Sequence, residues 1–437
     1  MGVGISLSGL AAAVANQGGI GVIAANAIGM LEPDYFSNGK EANLRALRKE
    51  IRKARELTFG IIGVNIMVAV NDFHELIQVA IEEKVDILFM GAGLPLKGIP
   101  VKELRAANVK IVPIVSSDRA ARLIFSYWQK NFNDVPDAVV VEGPKAGGHL
   151  GFKNDHIFDP EFALESILPP IVTEVEKFAA LFHKSIPVIA AGGIYNGEDI
   201  FKMFKLGARG VQMATRFVAT DECDADRRFK ESYVSCKEDD IMIIKSPVGL
   251  PGRAIRNRFL TDVESGKAAK FRCPWRCLES CNAKEAKYCI SQALDNARRG
   301  DLEHGFAFAG ANAYRIKEIL PVHALVKELN KQYLKVVAID TVTLRKQFER
   351  KVEELCKVRD EYVRKIKQSA RGLKVELGEM LAGQSAAFRD EYKLARIRLD
   401  EIKAKYCERL NELSNLKAQL SSYFDTSAIK IPTLSFS

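Results

Sequence analysis

The sequence predicts an α/β fold, a TIM-type (β/α)8 barrel, followed by an α-helical coiled-coil region, and three observations carry that expectation. Short apolar or β-branched runs suited to strands buried on both faces recur at 20–24, 61–66, 86–90, 111–115, 138–141, 187–191 and 209–213. Helical segments with apolar positions three and four apart lie between them, so strand and helix alternate with short connections, the mark of a parallel sheet. From about Thr341 to Tyr423 glycine becomes rare, proline is absent, and Lys, Arg and Glu crowd around a heptad of apolar residues.

Taken in order, residues 7–17 read as a first helix ended by Gly18-Gly19, and Ile20–Ala24 as the first complete strand. A helix over 43–57 follows from Leu44, Leu47, Ile51 and Ala54 on one face. Further helices are expected near 72–83, 101–107, 118–130, 172–183 and 197–206. Residues 245–260, rich in Gly, Pro and Arg, read as a loop over the barrel mouth. Residues 282–320 read as helical, with Phe306, Phe308 and Tyr314 placed to fold back over that mouth. The resulting division is a barrel over 1–335 with a helical lid insertion at about 220–320, a helical arm over 336–426 and a tail over 427–437. Within the arm a Gly-containing interruption at 372–383 marks a hairpin turn between two heptad helices, which are expected to pack on the barrel or to self-associate.

The chain has 437 residues, 47% hydrophobic and 27% charged, an ordinary globular balance. A net charge of +9 suits anionic partners, but the cations are spread along many helices, which argues against nucleic acid as the main ligand. Residues 10–30 are apolar but interrupted by Asn16, Gln17, Gly18, Gly19, Gly21 and Asn26, so they read as helix, turn and strand, with neither a secretory leader nor a membrane span. The expected compartment is cytoplasmic, with the eight cysteines as thiols. Four of them, Cys273, Cys277, Cys281 and Cys289, cluster as C-x3-C-x3-C-x7-C. Zinc or an iron–sulfur cluster is one reading; packing thiols on a helix face is the other, and no metal is assigned.

Chemistry concentrates in residues 138–151, AVVVEGPKAGGHLG. A buried-type strand runs into a glycine-rich loop carrying His149, the position at which parallel α/β barrels keep catalytic groups. IPVIAAGGI at 186–194 brings a second strand into Gly192-Gly193, and GVQMATRF at 210–217 a third into Ala214-Thr215. Successive strand–turn–helix units of this kind can hold a phosphate on backbone N–H groups.

Those motifs, with GVGISLSGLAAAVANQGGIGVIA at the start and GVNIMVA at 63–69, resemble the FMN-dependent nitronate monooxygenase family, formerly 2-nitropropane dioxygenase, a close relative of enoyl-acyl-carrier-protein reductase II. The resemblance covers about residues 1–330 and implies a barrel short of its first strand, since seven strands are counted and the family has one before the segment beginning at Met1. It implies FMN as cofactor, with its phosphate on Gly192, Gly193, Ala214 and Thr215, and glycine usual where Ala214 stands. Asn65 and Gln212 would hydrogen-bond the ring, and Met1, Gly2 and Gly148 would approach it. His149 becomes the base that deprotonates a nitroalkane or the group that orients a nitronate. The implied partners are a nitro or nitronate compound and O2. Three functional readings follow: nitronate oxidation; enoyl-thioester reduction with NAD(P)H, favoured by Pro113 and by the absence of a lysine in IVPIVSS at 111–117; and an inactive barrel scaffold with an interaction arm.

Overall fold

The structure is a computed structural model that describes residues 2–267, 271, 273, 276–278, 281–381, 393 and 396–397. These residues fall into two compact units that part between Leu334 and Lys335. The first unit opens with α1 (Ser8–Ala15), β1 (Ile20–Ala24), α2 (Gly39–Leu57), β2 (Ile61–Met67), α3 (Phe73–Glu82), β3 (Ile87–Gly91), α4 (Val101–Ala106), β4 (Lys110–Val115) and α5 (Asp118–Phe132). It continues with β5 (Val139–Glu142), β6 (Gly148–His149), α6 (Leu164–Leu181), β7 (Val188–Ala191), α7 (Gly197–Lys205), β8 (Gly210–Gln212) and α8 (Thr215–Val218). Then come α9 (Arg227–Ser235), β9 (Ile241–Lys245), β10 (Pro251–Ile255), α10 (Arg258–Glu264), α11 (Ile290–Arg298) and the start of α12 (Val322–Leu381).

Seven strands form one parallel sheet in the order β1-β2-β3-β4-β5-β7-β8, a TIM-like arrangement with helices between consecutive strands. The strand alternation explains why the sequence could be read. Ile62, Val64, Leu88, Ile111, Val139, Val141, Val188 and Ala190 point outward into the core shared with the helices. Phe89, Val112, Ala138, Val140 and Ala191 point the other way and form a second apolar cluster with Ile20, Val22, Ile87, Ile114 and Ile189. A strand buried on both faces has no polar side, hence the uninterrupted apolar runs.

Several helix ends are settled by local chemistry. Asn196 caps α7 by accepting from the Asp199 N–H, while the Asp199 carboxylate accepts from the N–H groups of Tyr195 and Asn196. Asp224 accepts from the backbone N–H groups of Leu7, Gly9 and Leu10 and so closes the start of α1 from a distant part of the chain.

Four expectations need correction. The helix expected from 172 begins at Leu164 and runs through Pro169 and Pro170, because Leu164, Ile167, Leu168 and Ile171 are buried and their packing outweighs the two lost N–H donors. Residues 245–260 are not a bare loop: β9 and β10 make an antiparallel hairpin, and β6 adds a third strand to it. Residues 282–320 are helical mainly at Ile290–Arg298, the rest being turns and extended chain pinned to the barrel loops. The break expected at 372–383 does not begin where glycine suggested it, since α12 stays helical through Gly372 and Gly378 to Leu381. Residues 382–383 and most of the second heptad stretch lie outside the described residues.

The described part of the second unit is the α12 segment from Lys335, with ion pairs such as Arg345–Glu349 and Lys365–Glu361 one helical turn apart. Among the described residues no helix is long and apolar enough to cross a membrane.

Candidate active site

Strand parity places a set of polar groups on the inward face at the carboxyl end of the sheet. Asn65 stands two residues beyond Gly63, against which the inward Phe89 packs, and pairs in register with Ala24 and Phe89. Glu142 follows Ala138 and Val140 on the inward face, and Gln212 follows Gly210 on β8. Glu142, Ala191 and Gln212 are register partners across β5, β7 and β8, so a carboxyl, a methyl and an amide form one row. Small residues, Ala24, Gly91 and Ala191, stand at the ends of their strands.

Beyond that row the chain turns sharply. Gly192 and Gly193 have φ of +91° and +89°, conformations that favour glycine, and a Cβ on Gly192 would stand 2.7 Å from the Gly143 carbonyl oxygen. The register of Ala191 with Gln212 sets this turn beside Ala214-Thr215. The N–H groups of Gly193, Ala214 and Thr215 donate to no other described residue, which leaves them for an anion. Ala214 has φ of −127°, outside the left-handed region in which glycine would be required. Tyr195 beside this turn is stacked by the guanidinium groups of Arg216 and Arg315, at 4.7 and 4.0 Å from the ring centre, and Arg216 pairs with Glu328 at 3.0 Å.

His149 sits on β6, and its segment reaches the end of β4, because a Cβ on Gly151 would stand 2.9 Å from Ser116 Oγ. The ring lies edge-on to Phe308 at 5.1 Å between centroids, and its Nε2 is 2.7 Å from Ser246 Oγ. Gly148, at φ +82°, faces open space on the side of the ribbon opposite the imidazole. Burial pushes the His149 pKa down to about 4, so the ring is neutral at physiological pH.

The segment 305–313 knits the loops together. Asn312 Nδ2 donates to the Gly193 carbonyl at 2.6 Å, the Gly310 N–H to Thr215 Oγ1 at 3.1 Å, and the Ala311 N–H to the Lys145 carbonyl at 3.0 Å. Tyr233 holds the same segment by donating to the Phe308 carbonyl. Arg253, only 3% exposed, donates to the carbonyls of Pro144 and Ala146 and so fixes the glycine-rich loop from beneath.

Of the residues singled out from sequence, Asn65 and Gln212 lie on the inward strand ends, Gly192, Gly193, Ala214 and Thr215 form adjoining turns, and Gly148 and His149 lie on β6. Gly2 lies beside Asn26, and Met1 is outside the described residues. Cys273, Cys277, Cys281 and Cys289 form no disulfide among the described residues, Cys277 being 3.6 Å from Ser291 Oγ and pushed up to about 11 by burial. Among the described residues no three His, Cys, Asp or Glu are arranged to hold a metal ion. Sequence reasoning missed Glu142, Ser246, Arg253 and Asn312. Glu142 had a signal, its even spacing from Ala138 and Val140; the others contact partners about a hundred residues away and had none.

Glu142 also carries a pH dependence. Burial raises its pKa to about 7, so its proton is held in the folded state and given up in the unfolded chain. A raised acid contributes stability that is complete below its unfolded pKa near 4.5 and lost as pH rises through 7. Glu142→Gln keeps the shape and removes the titration. The variant should match the wild type in Tm at pH 4.5 and exceed it at pH 8, by up to about 3 kcal/mol of stability. Equal Tm differences at both pH values would show that Glu142 ionises freely.

Known proteins resemble this chain in sequence and in fold. The family described as nitronate monooxygenase matches residues 1–332. A Staphylococcus aureus (strain Newman) protein named "Probable nitronate monooxygenase" is 30% identical over 291 residues, which span 58% of this chain and 73% of that protein. The solved structure of FabK from Thermotoga maritima superposes with a TM-score of 0.60 at 31% identity, covering 78% of this chain and 92% of FabK. Nitroalkane oxidase from Streptomyces ansochromogenes superposes with a TM-score of 0.59 at 22% identity, over 78% of this chain and 95% of that one, a likeness of fold. With the family match running over residues 1–332, the chain belongs to the nitronate monooxygenase family and is a flavin-dependent oxidoreductase.

Proposed function

We propose that this protein oxidises alkyl nitronates with O2 and that its flavin is FMN. The observation that carries the reading is His149, a neutral imidazole held against Phe308 and Ser246 at the carboxyl end of a barrel whose neighbouring turns offer unused N–H groups. The residues present fit the cofactor. Gly193, Ala214 and Thr215 would take its phosphate, in a turn where a Cβ at Gly192 would strike the Gly143 carbonyl. Asn65 and Gln212 would hydrogen-bond the ring edge, and the small strand-end residues would leave its plane uncovered. FMN, when bound, supplies the electron acceptance from substrate and the reaction with oxygen. The chain itself holds the substrate against that plane: His149 donates or accepts one hydrogen bond, and Phe308 fixes the ring's tilt.

The alternative, an NAD(P)H-dependent enoyl-thioester reductase, is favoured by Pro113 on β4, in the segment similar to the enoyl reductase branch. Oxygen uptake with a preformed nitronate, set against anaerobic NAD(P)H consumption with a crotonyl thioester, tests the choice. Nitronate-dependent uptake is the expected result, and thioester-dependent NAD(P)H oxidation would replace the reading. A protein that stays colourless after FMN loading would instead favour the scaffold reading. The heptad residues of the arm are proposed to self-associate, independently of the flavin site.

A further inference from the structure

His149 meets the rest of the molecule through a three-stranded ribbon that the sequence did not announce. β6 pairs antiparallel with β10, with His149 opposite Gly252 and Gly148 opposite Arg253. Residues directly opposite in an antiparallel pair share a face, and neighbours alternate. The imidazole therefore lies on the face of Gly252, while Arg253 works on the other face, gripping the Pro144 and Ala146 carbonyls. Phe308 covers the histidine face, its ring lying where any side chain on residue 252 would stand: a Cβ there would be 2.8 Å from Phe308. The ribbon thus holds the ring in one plane and at one depth.

The turn between β9 and β10 then brings in a single polar partner. It is closed by the Ser246 N–H donating to the Leu250 carbonyl at 3.1 Å and by the Gly249 N–H donating to the Ser246 carbonyl at 2.9 Å. That closure sets Ser246 Oγ 2.7 Å from His149 Nε2, and Ser246 is 3% exposed. A hydroxyl has one proton to donate and two lone pairs to accept with. One lone pair faces the Val248 N–H at 3.4 Å. For the proton, the one acceptor within hydrogen-bond distance among the described residues is Nε2.

Two arrangements of the pair are conceivable. If Nε2 carried the proton, it would donate to Oγ, and the buried hydroxyl proton would have no acceptor. If Nε2 is bare, Ser246 donates to it and every polar atom of the pair is satisfied. Stranding a buried hydroxyl disfavours the first arrangement by roughly one to two powers of ten in population. We infer that Ser246 holds His149 in the tautomer protonated on Nδ1, so that the imidazole meets the substrate as a neutral hydrogen-bond donor. This is the reverse of the Nε2–H form that an unrestrained neutral imidazole side chain prefers in water.

The consequence bears on the substrate class, and here the inference rests on the nitronate reading. His149 Nδ1 bonds to no other described residue, so its N–H is available. An N–H donor suits an anionic oxygen, which a nitronate has in full and a neutral nitroalkane only in part. The same atom cannot remove a carbon-bound proton, because it already carries one, and Nε2 is occupied by Ser246. The site is therefore built for the preformed anion, with Ser246 as a positioning residue that never touches substrate.

The tautomer is measured directly by 15N spectroscopy with selective labelling of the six histidines, His149 being assigned from its loss in His149→Asn. The wild type at pH 7.5 should show Nδ1 protonated and Nε2 bare, with or without flavin. Ser246→Ala should move the ring to the Nε2–H form and lower kcat/KM on a nitronate about three- to tenfold, with the flavin absorption spectrum unchanged. Ser246→Thr, which keeps the hydroxyl, should restore both. A wild-type His149 protonated on Nε2, or on both nitrogens, overturns the inference, as does an alanine variant with an unchanged tautomer. Should the alanine variant not fold, the wild-type spectrum decides alone. The Nδ1–H form in a protein without activity on nitronates would uphold the tautomer and reject the functional reading, so the two fail separately.

Discussion

Turnover of an alkyl nitronate is expected to fall by about two to three orders of magnitude when His149 is replaced by alanine, the usual effect of removing one placed donor to a reacting oxygen. The flavin should remain bound. The turns proposed to hold it, at Gly192-Gly193 and Ala214-Thr215, are fixed by Asn312 and by Gly310, none of which touches the imidazole. The loop that carries His149 is held by Arg253 through backbone carbonyls, so removing the side chain leaves its path intact. Paired assays identify what the ring does. Loss of a donor would fall more heavily on the nitronate, whose oxygen carries the charge, whereas loss of a base would fall far more heavily on the neutral compound, whose carbon must be deprotonated. Equal mild losses, less than about tenfold on both, would make His149 a structural loop residue.

The second large effect is expected at Gly192. Alanine there would have to adopt φ near +91°, with its Cβ 2.7 Å from the Gly143 carbonyl oxygen and 3.1 Å from the N atoms of Gly143 and Ala146. All three contacts are backbone, so none can rotate aside. Left-handed strain and overpacking together should cost about 2–5 kcal/mol. Any relaxation would push apart β5's loop and β7's turn, the two sides of the proposed phosphate site. FMN affinity should therefore fall about 100-fold or more, equivalent to about 3 kcal/mol, and the variant should purify colourless with near-native circular dichroism. Titration of FMN by fluorescence quenching gives the answer. Wild-type affinity in a folded Gly192→Ala protein would move the phosphate elsewhere.

Strand positions were legible because burial on both faces removes polar residues from a strand, and that signature is local. Ile87–Gly91 and Val139–Glu142 could be placed within a residue from composition alone. The same parity, carried one step further, points Asn65, Glu142 and Gln212 inward, although Glu142 was not read that way. The α6 start was misread for an equally local reason: Pro169-Pro170 lowers helix propensity over a few residues, and only the buried leucines and isoleucines on its inner face overrule it.

What the sequence by itself determined was the alternation of strands and helices, the glycine turns after β7 and β5, and the presence of one histidine among those turns. Each of these is written in residues that are neighbours along the chain. The tertiary structure alone decided how that histidine is held. β6 is two residues long and exists because β10 lies beside it; Ser246 is 97 positions from His149, Arg253 is 109 from Pro144, and Asn312 is 119 from Gly193. A hydrogen bond across such a separation depends on where the intervening barrel delivers the chain, so it leaves no periodicity, spacing or composition from which it could be read.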